Sequence, residues 1–278
     1  MRFRYFLDKT SNWLSDLPVG GSWGRTLSTS LQRNLRWFWF DSLFASSYDN
    51  IILNFMSLYI LSLGAVEYQI GLMSSLSNFT SAILLFVGAI LAEKIGKHKE
   101  ITLFSSGIFG RLMVLLLVFV PIFFKGVSLI WIAIILAVLR ESLGNLAYPS
   151  WMSVVNETVP IEGRGRFFGS RNFVMALSGM IAVLLAGKVI TLFTDHTGYQ
   201  IAMGIAFVVG MASTFNFAHI KSQGRPRNPI RISSITPRAA FKLLKDQPQF
   251  LALVFTAGLW NFAINISAPF FNVHMVKD

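Results

Sequence analysis

The chain of 278 residues contains no cysteine, which excludes a disulfide, a thiolate metal site and a cysteine nucleophile together. Charge is also scarce. Asp, Glu, Lys and Arg make up 13% of the residues, about half the share found in soluble domains. Histidine occurs only at His98, His196, His219 and His274, too scattered for a metal-ligating pair. No phosphate-binding or dinucleotide-binding glycine pattern is present, and no cluster at a span end joins a nucleophile to a base. No cofactor is expected, and an enzyme is the least supported class. The first 34 residues lack the apolar core of a secretory signal, so they read as a retained tail ahead of a first span that inserts directly.

What the chain has is apolar length: 54% hydrophobic residues, 26 of them Phe, and a mean hydropathy of +0.58. A helix rising ~1.5 Å per residue needs ~20 apolar residues to cross a bilayer. Seven stretches reach that length, at about 37–63, 69–91, 101–124, 127–148, 171–193, 200–218 and 248–271. The fold expected is an all-α integral membrane bundle.

The net charge of +11 is unevenly placed. Arg and Lys gather in the N-terminal tail and after spans 2, 4 and 6, whereas the intervening loops offer little beyond Glu67, Lys125 and Asp195. That alternation is the positive-inside pattern, and it argues against nucleic acid as the partner. It predicts a multi-pass protein of the cell (inner or plasma) membrane with a cytoplasmic N-terminus. The basic segment 221–245 either contacts anionic lipid head groups or is a solvated linker. Its second half, 237–245, has the pattern of an interfacial helix.

The organisation expected is a cytoplasmic tail (1–35), a six-helix bundle (36–219), a basic linker (220–247) and a further span (248–278). That last span resembles the first displaced by 215 positions. Asn50 matches Asn265, Phe55 matches Phe270, and Tyr59 lies opposite His274. Internal repeats of this kind build many transporters.

Between spans 2 and 3 the chain reads Ala89-Ile90-Leu91-Ala92-Glu93-Lys94-Ile95-Gly96-Lys97-His98-Lys99. Gly96 suits a tight turn with positive φ, and Glu93 sets a carboxylate among cations at the membrane boundary. This resembles the major facilitator superfamily signature G-x-L-A-D-R-x-G-R-R/K, with Ala89, Glu93, Lys94 and His98 as the departures. In span 4, Arg140, Gly144 and Ala147 resemble the same family's R-x-x-Q-G-x-G-A pattern, with Leu143 and Leu146 departing. The segment 160–169 resembles the loop that follows it. The Gly-Pro pair of drug/proton antiporters is missing from span 5, which offers Gly179 and Gly187.

The resemblance implies two bundles rocking about a midplane site, with about seven of an expected twelve helices here and the missing C-terminal half as partner if the chain is a fragment. It implies a secondary active transporter of a small solute, working by alternating access with proton coupling. Glu93, Lys94, Gly96, Lys97 and Lys99 would form the cytoplasmic gate.

Polar residues inside spans mark candidate sites. Asp49 lies about 12 residues into span 1 and Arg140 about 13 into span 4, ~18 and ~20 Å along their helices. Asp49 is the candidate proton or substrate carboxylate, or the static partner of Arg111 or Arg140. Arg140 with Glu141 forms an anion site, an ion-pair switch or a structural contact. Asn50 and Asn54 accompany Asp49, with Asp41 on the same helix. Trp260, Asn261 and Asn265 are the matching candidates in span 7, with polar helix packing as the alternative. An uncoupled facilitator or channel, or a non-transporting scaffold or sensor, are the rival functions.

Overall fold

Lipid cannot bond a free amide, so each apolar stretch must satisfy its own backbone, and the helix does this within one segment. We describe residues 16–221 and 248–277, with side chains through 264, in a computed structural model. Among the described residues there is no strand. The helices are α1 (Thr29–Ser62), α2 (Glu67–Ile95), α3 (His98–Phe123), α4 (Val127–Thr158), α5 (Arg164–Thr191), α6 (Thr197–Ala218) and α7 (Pro248–Lys277). Within α3, Leu103–Gly110 forms a π-helical stretch. Gly96 has φ +67° and ends α2, as the turn it was expected to make requires.

Among the described residues five helices, α2 to α6, are long and apolar enough to cross a membrane. At 34 residues, ~50 Å, α1 is long enough, but its aspartates, asparagines and serines dilute its apolar windows. It keeps them because its neighbours are protein: Leu35, Phe38, Tyr59 and Ile60 on it are fully buried. On α7 the described side chains, Pro248–Ile264, are exposed. Helices α1, α4 and α5 run further towards the basic end than hydropathy marks. Buried Val154, Thr158 and Phe167 there face protein instead of water.

The principal packing pairs are α2 with α4, α1 with α5 and α6, and α3 with α4 and α6. Exchanging α1 with α4, α2 with α5 and α3 with α6 maps this set onto itself, the pattern of an internal repeat of three helices. The closest approaches obey the same exchange. A Cβ on Gly88 of α2 would lie 2.2 Å from the Leu146 carbonyl of α4, and one on Gly179 of α5 would lie 2.5 Å from Asn50 of α1. Small residues that let helices touch are how bundles pack in lipid. The glycine of close approach is therefore Gly88, one position before Ala89.

Two apolar clusters form, one at each end. At the basic end Leu35, Phe38, Val154, Phe167 and Ile220 pack with Val19. At the other, Tyr59, Ile70, Leu117, Ile134 and Met203 interlock. Residues 16–28, read from sequence as part of a tail, are folded onto the bundle. Val19 is buried, a Cβ on Gly163 would overlap the Trp23 ring, and Ser170 donates to the Leu17 carbonyl. Asn34 bonds both the carbonyl and the amide of Lys221, at 2.8 and 3.1 Å, tying the start of α1 to the exit from α6.

Candidate functional site

Between the two clusters lies a cavity of about 410 Å³ walled by α1, α3, α4, α5 and α6. Its size falls within the ~300–1,000 Å³ of small-molecule sites. Three guanidinium groups and three carboxylates face it: Arg111, Arg140 and Arg171 with Asp41, Asp49 and Glu141. In surroundings of low dielectric, charges persist only when paired, hydrogen-bonded or reached by water, and these six are held in different ways.

Arg140 of α4 is held by two carboxylates. Its Nη2 lies 2.8 Å from Asp49 Oδ1 on α1, and its Nη1 lies 2.6 Å from Glu141 Oε2. Its Nε donates to the Tyr48 hydroxyl at 3.2 Å. The Asp49 side chain is 61% exposed and Glu141 47%, both towards the cavity, whereas Arg140 is 18% exposed. The pair that joins α1 to α4 is thus open to a solute on its acidic side.

Arg111 of α3 is held by neutral groups. It donates to Ser213 at 2.8 Å, to Thr214 and to the Gly107 carbonyl. Ser213 in turn donates a hydrogen bond to Asp41, Oγ to Oδ1 2.6 Å, so α3, α6 and α1 are linked through one hydroxyl. The π-helical stretch ends at Gly110, and Arg111 is the next residue. Wide turns of this kind recur at functional sites. Here the Gly107 carbonyl accepts from both Arg111 and Thr214. Gly210 completes the fit: a Cβ there would lie 2.8 Å from Arg111 Nε and 2.9 Å from the Tyr48 ring.

Arg171 of α5 is held mainly by aromatic faces. Its guanidinium lies 5.4 Å from the Phe38 and Trp151 ring centres and 5.6 Å from Phe168. Its Nε donates to Ser42 at 2.6 Å. Tyr48 serves both other arginines, with Arg111 and Arg140 each 5.3 Å from its ring centre.

The structure brings Asp49, Arg140 and Glu141 together on the cavity wall and pairs Asp49 with Arg140, leaving Arg111 to Ser213. Asn50 and Asn54 are elsewhere. Asn50 donates to the carbonyl and hydroxyl of Ser46 beside Gly179, in the α1–α5 contact, and Asn54 donates to the Asn50 carbonyl. Asn261 is exposed and donates to the Ala257 carbonyl. The side chains of Asn265, Phe270 and His274, and the segment 237–245, lie outside what is described.

In the basic turn, Lys94, Gly96 and Lys97 are exposed and Glu93 is half-buried. Lys99 donates to the Ala218 carbonyl at 2.6 Å, fixing the turn to the end of α6.

Sequence reasoning passed over Arg171, which sits at the basic edge of its span, and weighed Arg111 only as a partner for Asp49. A search for arginines inside apolar stretches finds Arg111 but gives no reason to join it to Asp41. Among the described residues no group of three or more His, Asp or Glu side chains is close enough to hold a metal.

A family model described as Major Facilitator Superfamily matches residues 39–277. No curated protein matches the chain.

Proposed function

The chain belongs to the major facilitator superfamily and is a membrane transporter of that type, and from this premise we propose that it moves a small solute through the central cavity by proton-coupled alternating access. The observation that carries the reading is the Arg140–Asp49 pair, 2.8 Å long, with its carboxylate open to the cavity. A proton taken by Asp49 removes the charge that holds Arg140 to α1. The α1–α4 contact then loosens, and Arg140 is freed for a solute or for Glu141. One carboxylate can thereby link proton entry to a change in how two helices meet.

In the same reading the basic end is cytoplasmic, because cations resist translocation, and the membrane is the cell (inner or plasma) membrane. The unit 36–219 works as one bundle, with 220–247 as linker to the helix over 248–278. The Glu93–Lys99 turn gates the cytoplasmic side, with Lys94 and Lys97 exposed and Lys99 as its anchor.

Proteoliposomes test this. A panel of labelled solutes is screened for uptake driven by an inward proton gradient, and the solute accumulated is carried forward. Asp49→Asn is expected to abolish gradient-driven accumulation while leaving solute exchange largely intact. Unchanged accumulation removes Asp49 from proton coupling. Wild-type uptake that ignores the gradient makes the protein an uncoupled facilitator.

A further inference from the structure

The charges of the cavity are balanced as a whole and unbalanced in its parts. Around Arg140 there are two carboxylates to one guanidinium. Asp41 is the carboxylate that Arg111 and Arg171 share, and Asp49 acts on Arg111 as well, so Arg171 has Asp41 alone. Among the described residues neither arginine has a carboxylate within 4 Å. Both are more than nine-tenths buried, at 8% and 9% exposure.

Arg171 is the less satisfied of the two. Its Nε–Ser42 bond is the one hydrogen bond it makes among the described residues, and the aromatic faces of Phe38, Trp151 and Phe168 offer no acceptor. Its two terminal nitrogens are left without partners on a side chain that lines the cavity. A planar guanidinium with two free edge donors matches the paired oxygens of a carboxylate or phosphoryl group. A cation with no carboxylate in direct contact is costly to hold inside a protein, and a bound anion offsets that cost when the site is filled. Arg111, bonded to Ser213 and Thr214, adds a second positive charge to the cavity lining.

We infer that the transported solute carries an oxyanion group, carboxylate or phosphoryl, that docks on the terminal nitrogens of Arg171 within the field of Arg111. This rests on the transport reading above, since it assigns the cavity as the solute site. Asp49 and Glu141 flank Arg140 and repel an anion there, which directs its charged end to Arg171 and not to Arg140.

Trp151 beside Arg171 gives an intrinsic reporter. The purified full chain in nanodiscs of neutral lipid is titrated with succinate, inorganic phosphate and choline, following tryptophan fluorescence and thermal stability without any gradient. Saturable quenching by succinate with none by phosphate assigns a carboxylate. The reverse assigns a phosphoryl group.

Arg171→Gln is expected to weaken that binding by at least about tenfold, and Arg171→Lys, which keeps the charge and loses the fork, by less. The second variant and the thermal transition separate loss of the site from loss of fold. Choline bound as well as the anions, a failure of both anions to bind wild type, or Arg171→Gln binding at wild-type strength overturns the inference. Because no flux is measured, oxyanion binding without transport overturns the transport reading alone. Proton-driven uptake confined to neutral or cationic solutes overturns the oxyanion site alone.

Discussion

Arg140 and Arg171 face the same cavity from neighbouring walls, yet they are stabilised by opposite means. Arg140 has two carboxylates and a tyrosine hydroxyl, and it needs nothing from outside. Arg171 has three aromatic faces and one serine, which steady a cation without neutralising it. An internally paired charge can act as a switch, because breaking the pair changes how its helices meet. An unpaired one can act as a receptor, because a ligand is what completes it. Arg111 lies between the two, bonded to hydroxyls and reaching Asp41 only through Ser213.

Three changes break or sharpen that contrast. The largest effect is expected from Arg140→Gln, which leaves Asp49 and Glu141 facing each other without a cation. Losing one partner of an enclosed pair costs about 3–5 kcal/mol. With both carboxylates near half exposure, about 2 kcal/mol is expected once screening by water in the cavity is allowed for. Thermal unfolding in nanodiscs measures it. Addition of Asp49→Asn should restore most of the loss, and a single variant as stable as wild type would show that the pair does not hold α1 to α4.

Gly210→Ala is expected to cost about 1–2 kcal/mol by overpacking, because its Cβ meets Arg111 and Tyr48 below 3 Å. Gly204→Ala, on the same helix with nothing within 4 Å, is the control and should be near neutral. Equal stability of the two variants would mean that Arg111 is not fixed against α6.

The smallest effect belongs to Tyr48→Phe, which removes the acceptor for Arg140 Nε and keeps the ring. About 1 kcal/mol is expected. Tyr48→Leu should cost up to about 1 kcal/mol more, by removing the ring from both guanidiniums. If Phe and Leu behave alike in the same unfolding assay, the ring contributes nothing to holding the arginines.

Much of this molecule is legible along the chain because lipid imposes a one-dimensional rule. The stretches for α2 to α6 announce themselves by hydropathy, and Gly96 by the turn it must make. The family was legible from Glu93–Lys99 and from Arg140, Gly144 and Ala147. Contacts that depend on facing direction were not. Nothing local tells that Asn50 turns to Ser46 and Gly179 while its neighbour Asp49 turns to Arg140, since one residue along a helix is a rotation of ~100°. Nor does hydropathy show that residues 16–28 fold onto the bundle, because Val19 and Trp23 are isolated apolar residues among polar ones.

The sequence by itself determined the class, the number and order of the helices and the presence of charge inside them, because these follow from the cost of exposing backbone and charge to hydrocarbon. Tertiary structure alone decided which charge answers which. Asp49 and Arg140 are 91 positions apart, and Arg111 and Ser213 are 102 apart. Only the close approach of α1 to α4 pairs Arg140 with Asp49, and only that of α1 to α5 sets Arg171 against Phe38 and Ser42.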